Sequence, residues 1–359
     1  MSDNKSGEVV QAPPMDQMSD NKSDEVVQAP PPPMDQIYLN KYAWFDVFNF
    51  LLPIALGLDV ARISERFKSL VDDHFETRKW SLGYLEIRET KKGKAGIVKG
   101  HNQHLPIPRQ PIPNSVFNFE CIEISFFDKN NDFLQRIRSL LDRSGTDVVI
   151  QTHEGQTRSW ELICERIWPL LSGNIYCFWP SPNKLNRLRQ SSPSVLCNCP
   201  NLRWIKAFDS FPAFPADDGA EASPEQAVAN WLITARTDGD PKTLCCFFES
   251  EGMWALIGSF DSASTPVNFI ISCGDDNDIE AFDRKNNGTG ERLSMRRLNK
   301  ERWLLVRSPI ERDDDKWTKW ETEALPDWNR FTIAFRDGNI GEGLVDAKEG
   351  PSEPKKRKN

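Results

Sequence analysis

The residues of this sequence that could bind a metal ion are its histidines, cysteines and acidic side chains, and few have the spacing of ligands. His101 and His104 are separated by two residues, and Cys197 and Cys199 by one. A structural zinc site needs four ligands, usually as two close pairs, and neither pair has a second one at a suitable distance. The acidic run at 275–278 lacks the glycine and closing glutamate of an EF-hand loop. We therefore predict no metal site and no cofactor.

Motifs for covalent catalysis are missing as well. The sequence contains no P-loop, no GxGxxG dinucleotide motif, no HExxH and no GxSxG nucleophile elbow. The adjacent thiols Cys245 and Cys246 fall in a predicted strand, where cysteine packs as a small apolar residue. We predict that the protein is not an enzyme. A hydrolase or metalloenzyme in the α/β region is the alternative, with only scattered acids and thiols behind it.

Aromatic and charged residues between core positions are the candidates for binding. Most of the twelve tryptophans have core spacing, but Trp179 and Trp204 fall between apolar positions on two predicted strands. Glu123 and Lys206 occupy comparable positions. Because alternate residues of a strand point to opposite faces, we expect Glu123, Trp179, Trp204 and Lys206 to line one face and bind a protein target.

The elements that must position these residues are short β-type runs alternating with helical ones. The predicted strands are 119–126, 148–152, 175–179, 202–208, 244–248 and 267–273, and the predicted helices are 132–143, 158–171, 183–197, 224–234 and 252–260. The first four strand centres follow at intervals of about 28 residues, near the top of the range for leucine-rich repeats. We predict a leucine-rich-repeat-like parallel β/α domain over 116–345, with an ordinary parallel sheet as the alternative. A hairpin, a helix over 313–325 and a last strand over 330–336 would cap it.

Residues 37–85 read as a small, very apolar helical domain. Trp44, Val47, Phe48 and Leu51 follow the spacing of one helix face, which we predict to face inward. Pro53 starts a new segment, and a further helix is predicted over 58–75. Phe50 points away from that face. Fewer than 50 residues cannot bury all of this apolar surface, so we expect part of it to dock on another chain or domain. Residues 86–115, rich in lysine and proline, are predicted to be a connecting loop.

Composition and charge narrow the class of protein further. The 359 residues carry a net charge of −8, and residues 37–347 carry −6, which argues against wrapping a nucleic-acid backbone. No run of about 18 apolar residues is present, so a membrane-spanning helix is excluded. With no hydrophobic leader in the sequence, we expect an intracellular protein with reduced thiols.

The two ends of the chain are predicted to be disordered tails. Residues 1–17 recur almost unchanged as 18–36, with acidic and proline-rich composition. Residues 346–359 are basic. Within them, a proline and four consecutive cations have the composition of a nuclear import signal that an importin would bind, which predicts a nuclear location: Pro354, Lys355, Lys356, Arg357 and Lys358.

The helical segment resembles an F-box. The run Val47-Phe48-x-Phe50-Leu51, then Leu58, then residues 63–71, is similar to the family pattern over about 35 positions, although Asn40 and Tyr42 stand where the family usually has proline and glutamate. The resemblance implies that the segment binds the Skp adaptor of a cullin–RING ubiquitin ligase. The residues it assigns to that contact are Leu39, Phe48, Phe50, Leu51, Leu52, Pro53 and Leu58.

The remainder of the chain resembles a group of F-box-like proteins from nematodes that is expanded in plant-parasitic species. The similar segments include Ser159-Trp-Glu-Leu-Ile163, Asn230-Trp-Leu232, Trp303-Leu-Leu-Val-Arg307 and Lys316-Trp-x-Lys-Trp-Glu321. The resemblance implies a substrate receptor: an all-helical F-box that recruits the Skp adaptor and cullin, followed by an α/β domain that presents a protein target. A non-enzymatic scaffold with a degenerate F-box is the alternative.

Overall fold

The structure is a computed structural model that describes residues 39–51, 53–99, 103–107, 112, 115–128, 133–274, 279–323 and 329–341. The two predicted tails, 1–36 and 346–359, lie entirely outside these residues. So does the predicted nuclear import signal.

The amino-terminal part of the described chain is a helical unit, by which we mean residues 41–77. It contains α1 (Lys41–Phe48), α2 (Pro53–Leu58), a 3₁₀ turn (Val60–Arg62) and α3 (Glu65–Thr77). The helix predicted over 58–75 is therefore wrong at its start: α3 begins only after Ser64, whose hydroxyl accepts a hydrogen bond from the Phe67 backbone amide at 3.3 Å. This is an N-cap, and it satisfies an amide that has no partner within the helix.

Residues predicted to be a connecting loop instead form strands. After β1 (Trp80–Ser81), β2 (Tyr84–Glu89), β3 (Ala95–Lys99) and β4 (Gln103–Pro106) make an antiparallel meander, and β5 (Val116–Asn118) pairs with β1 in a separate small sheet. The prediction failed because it weighed the lysines and prolines of this segment and overlooked its alternation. Leu85 and Ile87 are buried while the polar side chains between and beside them face the other way.

Strands and helices then alternate much as predicted. In chain order these elements are β6 (Cys121–Ile124), α4 (Phe133–Ser144), β7 (Thr146–Ile150), α5 (Thr157–Leu162), a π-helical turn (Ile163–Ile167), α6 (Trp168–Leu171), a 3₁₀ turn (Ser172–Asn174), β8 (Ile175–Trp179), α7 (Pro182–Ser191), β9 (Trp204–Ala207), α8 (Pro224–Ile233), β10 (Lys242–Cys246), α9 (Ser250–Asp261) and β11 (Phe269–Gly274). Helix α7 ends before the predicted limit at 197, since Pro193 has no amide to continue it.

The carboxyl-terminal part of the described chain contains the predicted hairpin and one strand more. The elements are β12 (Phe282–Asn286), β13 (Glu291–Arg297), β14 (Arg302–Pro309), α10 (Asp314–Thr322), β15 (Arg330–Ile333) and a 3₁₀ turn (Asp337–Asn339). Helix α10 begins after Asp313, whose carboxylate accepts the Lys316 amide at 3.1 Å, in agreement with the predicted acidic start.

One large mixed sheet contains thirteen of these strands, in the order β12-β13-β14-β11-β10-β9-β8-β7-β15-β6-β2-β3-β4. The central run from β11 to β2 is parallel, and antiparallel strands extend it at both ends. Helices α4 to α9 share one continuous apolar core with the strands, through residues such as Ile122, Ile205 and Leu244. All of these helices lie on one face because the crossovers between successive parallel strands have one hand.

The position of β15 corrects the predicted cap. Strands β7 to β11 lie side by side in chain order, as the repeat-like pattern predicts. The last strand, however, does not close an end: it lies between β6 and β7 and pairs in parallel with both. Its side chains Phe331 and Ile333 are fully buried, so the middle of the sheet needs a segment from the far end of the chain. The fold is mixed α/β with a large, mostly parallel sheet.

Candidate functional site

The sheet has a second face that α4 to α9 do not cover, and we call it the open face. Side chains between the core positions point to it, and register places neighbours from successive strands in one row across the sheet. Each residue of the row is the register partner of the next, except at the end of β8, where Trp179 is next to Lys206 through a contact of their side chains. From β2 to β11 the row is Glu86, Glu123, Thr332, Val149, Trp179, Lys206, Cys245 and Ser272. Helix α10 covers only the β11 and β14 end of this face, where Trp317 packs on Ile270 and Val306.

All four residues predicted to line one face lie on the open face, but they differ in accessibility. Glu123, Trp179 and Lys206 are half-buried, whereas Trp204 retains only 6% of its exposure. Trp204 occupies the row before Lys206, next to Cys177 and Thr243, and both of these neighbours are buried. Trp204 is therefore a packing residue, and the accessible set is Glu123, Trp179 and Lys206.

Trp179 is the centre of a cationic and aromatic cluster on the open face. The Lys206 ammonium lies 3.9 Å from the centre of the indole ring, and the Arg330 guanidinium lies 5.5 Å from it. Attraction between a cation and the face of a tryptophan holds both side chains in place. Arg330 also contacts Asp147, with Nε 3.3 Å from the carboxylate. Lys206 has no carboxylate within ion-pair distance in the described part of the chain.

Two further aromatic residues extend this cluster across the ends of the next strands, and they were not predicted. Phe208 follows β9 and Phe247 follows β10, with exposed fractions of 44% and 61%. The ring of Phe208 lies 6.3 Å from that of Trp179, and Phe247 lies 6.2 Å from Phe208. The signal that could have found them is parity, since each lies two residues after an open-face position, Lys206 or Cys245.

At the other side of the open face, Glu123 belongs to a closed polar network. The Tyr84 hydroxyl donates to one of its carboxylate oxygens at 2.8 Å, and the Ser125 hydroxyl donates to the other at 3.1 Å. Burial, together with this hydrogen bond, raises the pKa of Tyr84, so the phenol stays protonated. Both oxygens of Glu123 have partners within the protein, which makes it a weaker candidate for target binding than Lys206.

The thiols on the open face are protonated at neutral pH. Burial raises the pKa of Cys245 to about 11, although the nearby cations Lys206 and Arg302 act in the opposite direction. Burial also raises the pKa of Cys121 and Cys177. Because the thiolate is the nucleophilic form, these cysteines contribute packing to the face rather than reactivity.

The helical unit presents a second candidate surface. Phe50 is 90% exposed and Ile63, Tyr42 and Val47 are also exposed, with Leu39 and Leu51 at the lower end of that class. The prediction that Val47 and Leu51 face inward is wrong. Helix α1 ends at Phe48, so helical spacing does not extend to Phe50 and Leu51, which lie in the turn that follows.

The remaining residues of the predicted adaptor contact differ in accessibility. Phe48 is buried between α1 and α3, where it contacts the rings of Trp44 and His74. It is therefore a core residue of the helical unit and not part of its exposed surface. Pro53 is half-buried at the start of α2. Leu52 and the side chain of Leu58 lie outside the described residues. The exposed members of the predicted contact are thus Leu39, Phe50 and Leu51.

His74 lies where the helical unit joins the sheet. Its ring is fully buried among Phe45, Phe48 and Trp80, with ring centres 4.8 to 5.4 Å apart. Neither ring nitrogen has a hydrogen-bond partner. Burial lowers the pKa of His74, and the charge of Arg78 acts in the same direction. Trp80 packs in both the helical core and the sheet core, so His74 rests against the residue that connects them.

A groove between α9 and β12 is a further concave feature of the described residues. It has a volume of about 350 Å³, and Trp254 is exposed at its edge. Its lining is mostly apolar: Phe248, Met253, Trp254, Ile257, Ile279, Phe282 and Met295, with Ser250, Glu280, Ala281 and Arg284. Arg284 is paired with Asp261 at 2.5 Å. The groove combines apolar walls with one paired cation.

The described part of the chain has neither a cluster of metal ligands nor a helix that could span a membrane. Its histidine, cysteine and acidic side chains nowhere gather in a group of three that could hold a metal ion. Its helices are all too short or too polar to cross a lipid bilayer.

Comparison with known proteins identifies no relative: no family model, curated protein or solved structure matches the chain.

Proposed function

We propose that the protein is the substrate-recognition subunit of a ubiquitin ligase of the Skp–cullin–F-box type. In this proposal the exposed surface of the helical unit binds the Skp adaptor, and the open face of the sheet binds a protein target. The observation that carries the proposal is the 90% exposure of Phe50, on a unit of three short helices that also exposes Val47, Tyr42 and Ile63.

The cost of exposing these side chains supports a partner. Burying one phenylalanine side chain contributes roughly 1.5–3 kcal/mol, and Phe50 forgoes nearly all of this in the isolated chain. Single exposed apolar residues are common, whereas these four large ones on a unit of this size favour an interaction surface. The resemblance of the same residues to an F-box is the reason for proposing the Skp adaptor as that partner.

The open face supports the second half of the proposal. It offers Trp179, Phe208 and Phe247 with Lys206, and aromatic rings beside cations are the residue types that dominate the energetics of protein interfaces. A substrate receptor needs two separate binding surfaces on one chain and no catalytic group of its own. The helical unit and the open face are two such surfaces.

A scaffold with a degenerate F-box is the competing function. Asn40 and Tyr42 depart from the family pattern, and Tyr42 is itself exposed where a partner would dock. A scaffold would use the same two surfaces to join other proteins without recruiting a ligase. Binding to the adaptor therefore separates the two functions.

The test is co-expression of the full chain with the Skp adaptor, followed by size exclusion and titration. We expect a stable complex, and we expect Phe50→Ala to weaken it by about 30-fold, the effect of losing a central aromatic contact of about 2 kcal/mol. Phe247→Ala is the matched control, since it removes an exposed phenylalanine from the open face and should leave the complex unchanged. If the wild-type chain is folded but forms no complex with the Skp adaptor, the ligase function is rejected and the scaffold function is favoured.

A further inference from the structure

On the open face, the aromatic residues are followed by a position without a side chain, Gly274, and then by a cation, Arg302. Beyond Phe247 the next strand, β11, carries Gly274, and a Cβ built there would lie 4.0 Å from the Phe247 ring. The next strand, β14, places Arg302 directly opposite Gly274. The lack of a side chain at Gly274 leaves a notch between the Phe247 ring and Arg302.

Two cations thus flank an exposed ring and a notch. Lys206 is on β9, Phe247 ends β10, and Arg302 begins β14. Both cations act on the thiol of Cys245, which lies between them on the open face. Neither Lys206 nor Arg302 has a carboxylate at ion-pair distance among the described residues, so both charges are available to a partner.

The spacing of these groups matches an extended polypeptide laid across the strands. Neighbouring strands are about 4.8 Å apart, and Lys206 is in register with Leu304, two residues from Arg302, so three steps from β9 to β14 with this offset span about 16 Å. An extended chain advances about 3.4 Å per residue, so residues i and i+4 share one side about 14 Å apart, and the long side chains of Lys206 and Arg302 cover the difference. Acidic side chains at i and i+4 would meet Lys206 and Arg302, while an apolar side chain at i+2 would meet Phe247 and the notch.

We propose that the open face binds an extended segment of its partner protein with the pattern acidic–x–apolar–x–acidic. The inference rests on the proposed function, because it names the kind of segment that the target-binding face takes. Charge complementarity favours an acidic segment over a neutral or basic one. The alternating pattern follows from the period of two in an extended chain.

The proposal is tested with fluorescein-labelled peptides and the purified full chain, by fluorescence anisotropy. The probe is Asp-Ser-Leu-Ser-Asp between glycines. A scrambled probe, Asp-Asp-Leu-Ser-Ser, keeps its composition, and Lys-Ser-Leu-Ser-Lys reverses its charge. We expect the spaced acidic probe to bind at least about 10-fold more tightly than either of the others, with each well-placed charge contributing.

Variants locate the site and guard against misfolding. Lys206→Glu should lose the preference for the acidic probe and improve binding of the lysine probe, a gain that a misfolded protein would not show. A fourth probe, Asp-Ser-Ser-Ser-Asp, replaces the central leucine, and Phe247→Ala should remove the advantage of leucine over serine at that position. Lys285→Glu, on the exposed edge strand β12 and five strand positions from β9, makes the same charge change far from Lys206 and should alter neither preference.

Equal binding of the spaced and scrambled probes, or no binding of any probe, would overturn the inference. So would a Lys206→Glu variant that behaves as Lys285→Glu does. The experiment contains no Skp adaptor, so a failed peptide titration and a failed adaptor complex are independent results. An adaptor complex without peptide selectivity keeps the ligase proposal and discards this one.

Discussion

The helical unit and the sheet differ greatly in how much apolar surface they bury. Among the described side chains of the helical core, three apolar ones are fully buried, Phe48, Leu56 and Val71, with half-buried neighbours around them. The sheet and its helices share one continuous core that runs through every strand of the parallel region. The small unit cannot cover its own apolar residues, whereas the large one covers nearly all of one face. Stability and exposed binding surface are thus divided between the two regions.

The open face refines this comparison, because it belongs to the stable region and is nonetheless accessible. Its side chains sit on strands whose other face is fixed by the core, so their positions are set by the sheet. In the helical unit, Phe50 lies in a turn between short helices. We infer that the open face is the more rigid of the two surfaces.

The largest expected effect is on the sheet core. Phe331→Ala empties a fully buried position on β15, between Ile122 and Val148, and should lower the free energy of unfolding by about 3–5 kcal/mol. Phe50→Ala, in the helical unit, should change it by no more than about 0.5 kcal/mol, since its ring is exposed. Urea unfolding of both variants measures this. If the two variants lose similar amounts of unfolding free energy, the assignment of Phe331 to the core and Phe50 to the surface is wrong.

The next effect is a pH dependence confined to the helical unit. The folded pKa of His74 is below its unfolded value of about 6.5, so both states are neutral above that pH and the histidine imposes no penalty. As the pH falls below 6.5 the unfolded chain binds the proton first, and stability decreases by at most about 1.4 kcal/mol per pH unit until the folded pKa is reached.

His74→Phe should remove this decrease, since phenylalanine suits the surrounding rings. The measurement is urea unfolding between pH 5 and 7, followed by tryptophan fluorescence; these pH limits bracket the unfolded pKa of about 6.5. His153→Gln is the control, because His153 is exposed and should leave the slope as it is. A slope that survives His74→Phe would assign the pH dependence to other groups.

The smallest expected effect is the loss of stability when either of two helix caps is removed. Ser64 caps α3 through one hydrogen bond, whereas Ser223 caps α8 in a reciprocal pair with Gln226. Each serine-to-alanine change should cost about 1 kcal/mol. We expect amide exchange to increase only in residues 41–77 for Ser64→Ala, and across the sheet for Ser223→Ala. Identical exchange patterns would show that the helical unit and the sheet open together.

Much of the fold was predictable because its signals are local. Strand β8 was predicted with its observed bounds, and α8 within one residue, since a run of apolar residues or a Ser-Pro start depends on neighbours in sequence. The meander of β2 to β4 was missed because its lysines and prolines suggested a loop. Its alternation was present in the sequence and was outweighed by composition.

The candidate site also contains residues that the sequence predicted and residues that it did not. Parity along each strand placed Glu123, Trp179 and Lys206 on one face, as found. Phe208 and Phe247 obey the same parity, but the rings meet only because β8, β9 and β10 are neighbours. Arg302 could not be assigned to the face from sequence, since its partner Gly274 lies 28 residues earlier in an antiparallel strand.

The sequence by itself determined the type of most elements and the side of each strand that faces the core, because both follow from periodicity over a few residues. Tertiary structure alone decided where β15 lies, which faces the helices cover and which aromatic rings become neighbours. Those choices depend on contacts between residues as far apart as Phe331 and Ile122, whose pairing no local pattern encodes. The exposure of Phe50 was predicted, since too few residues surround it to bury it; the burial of Trp204 was decided by the packing around it.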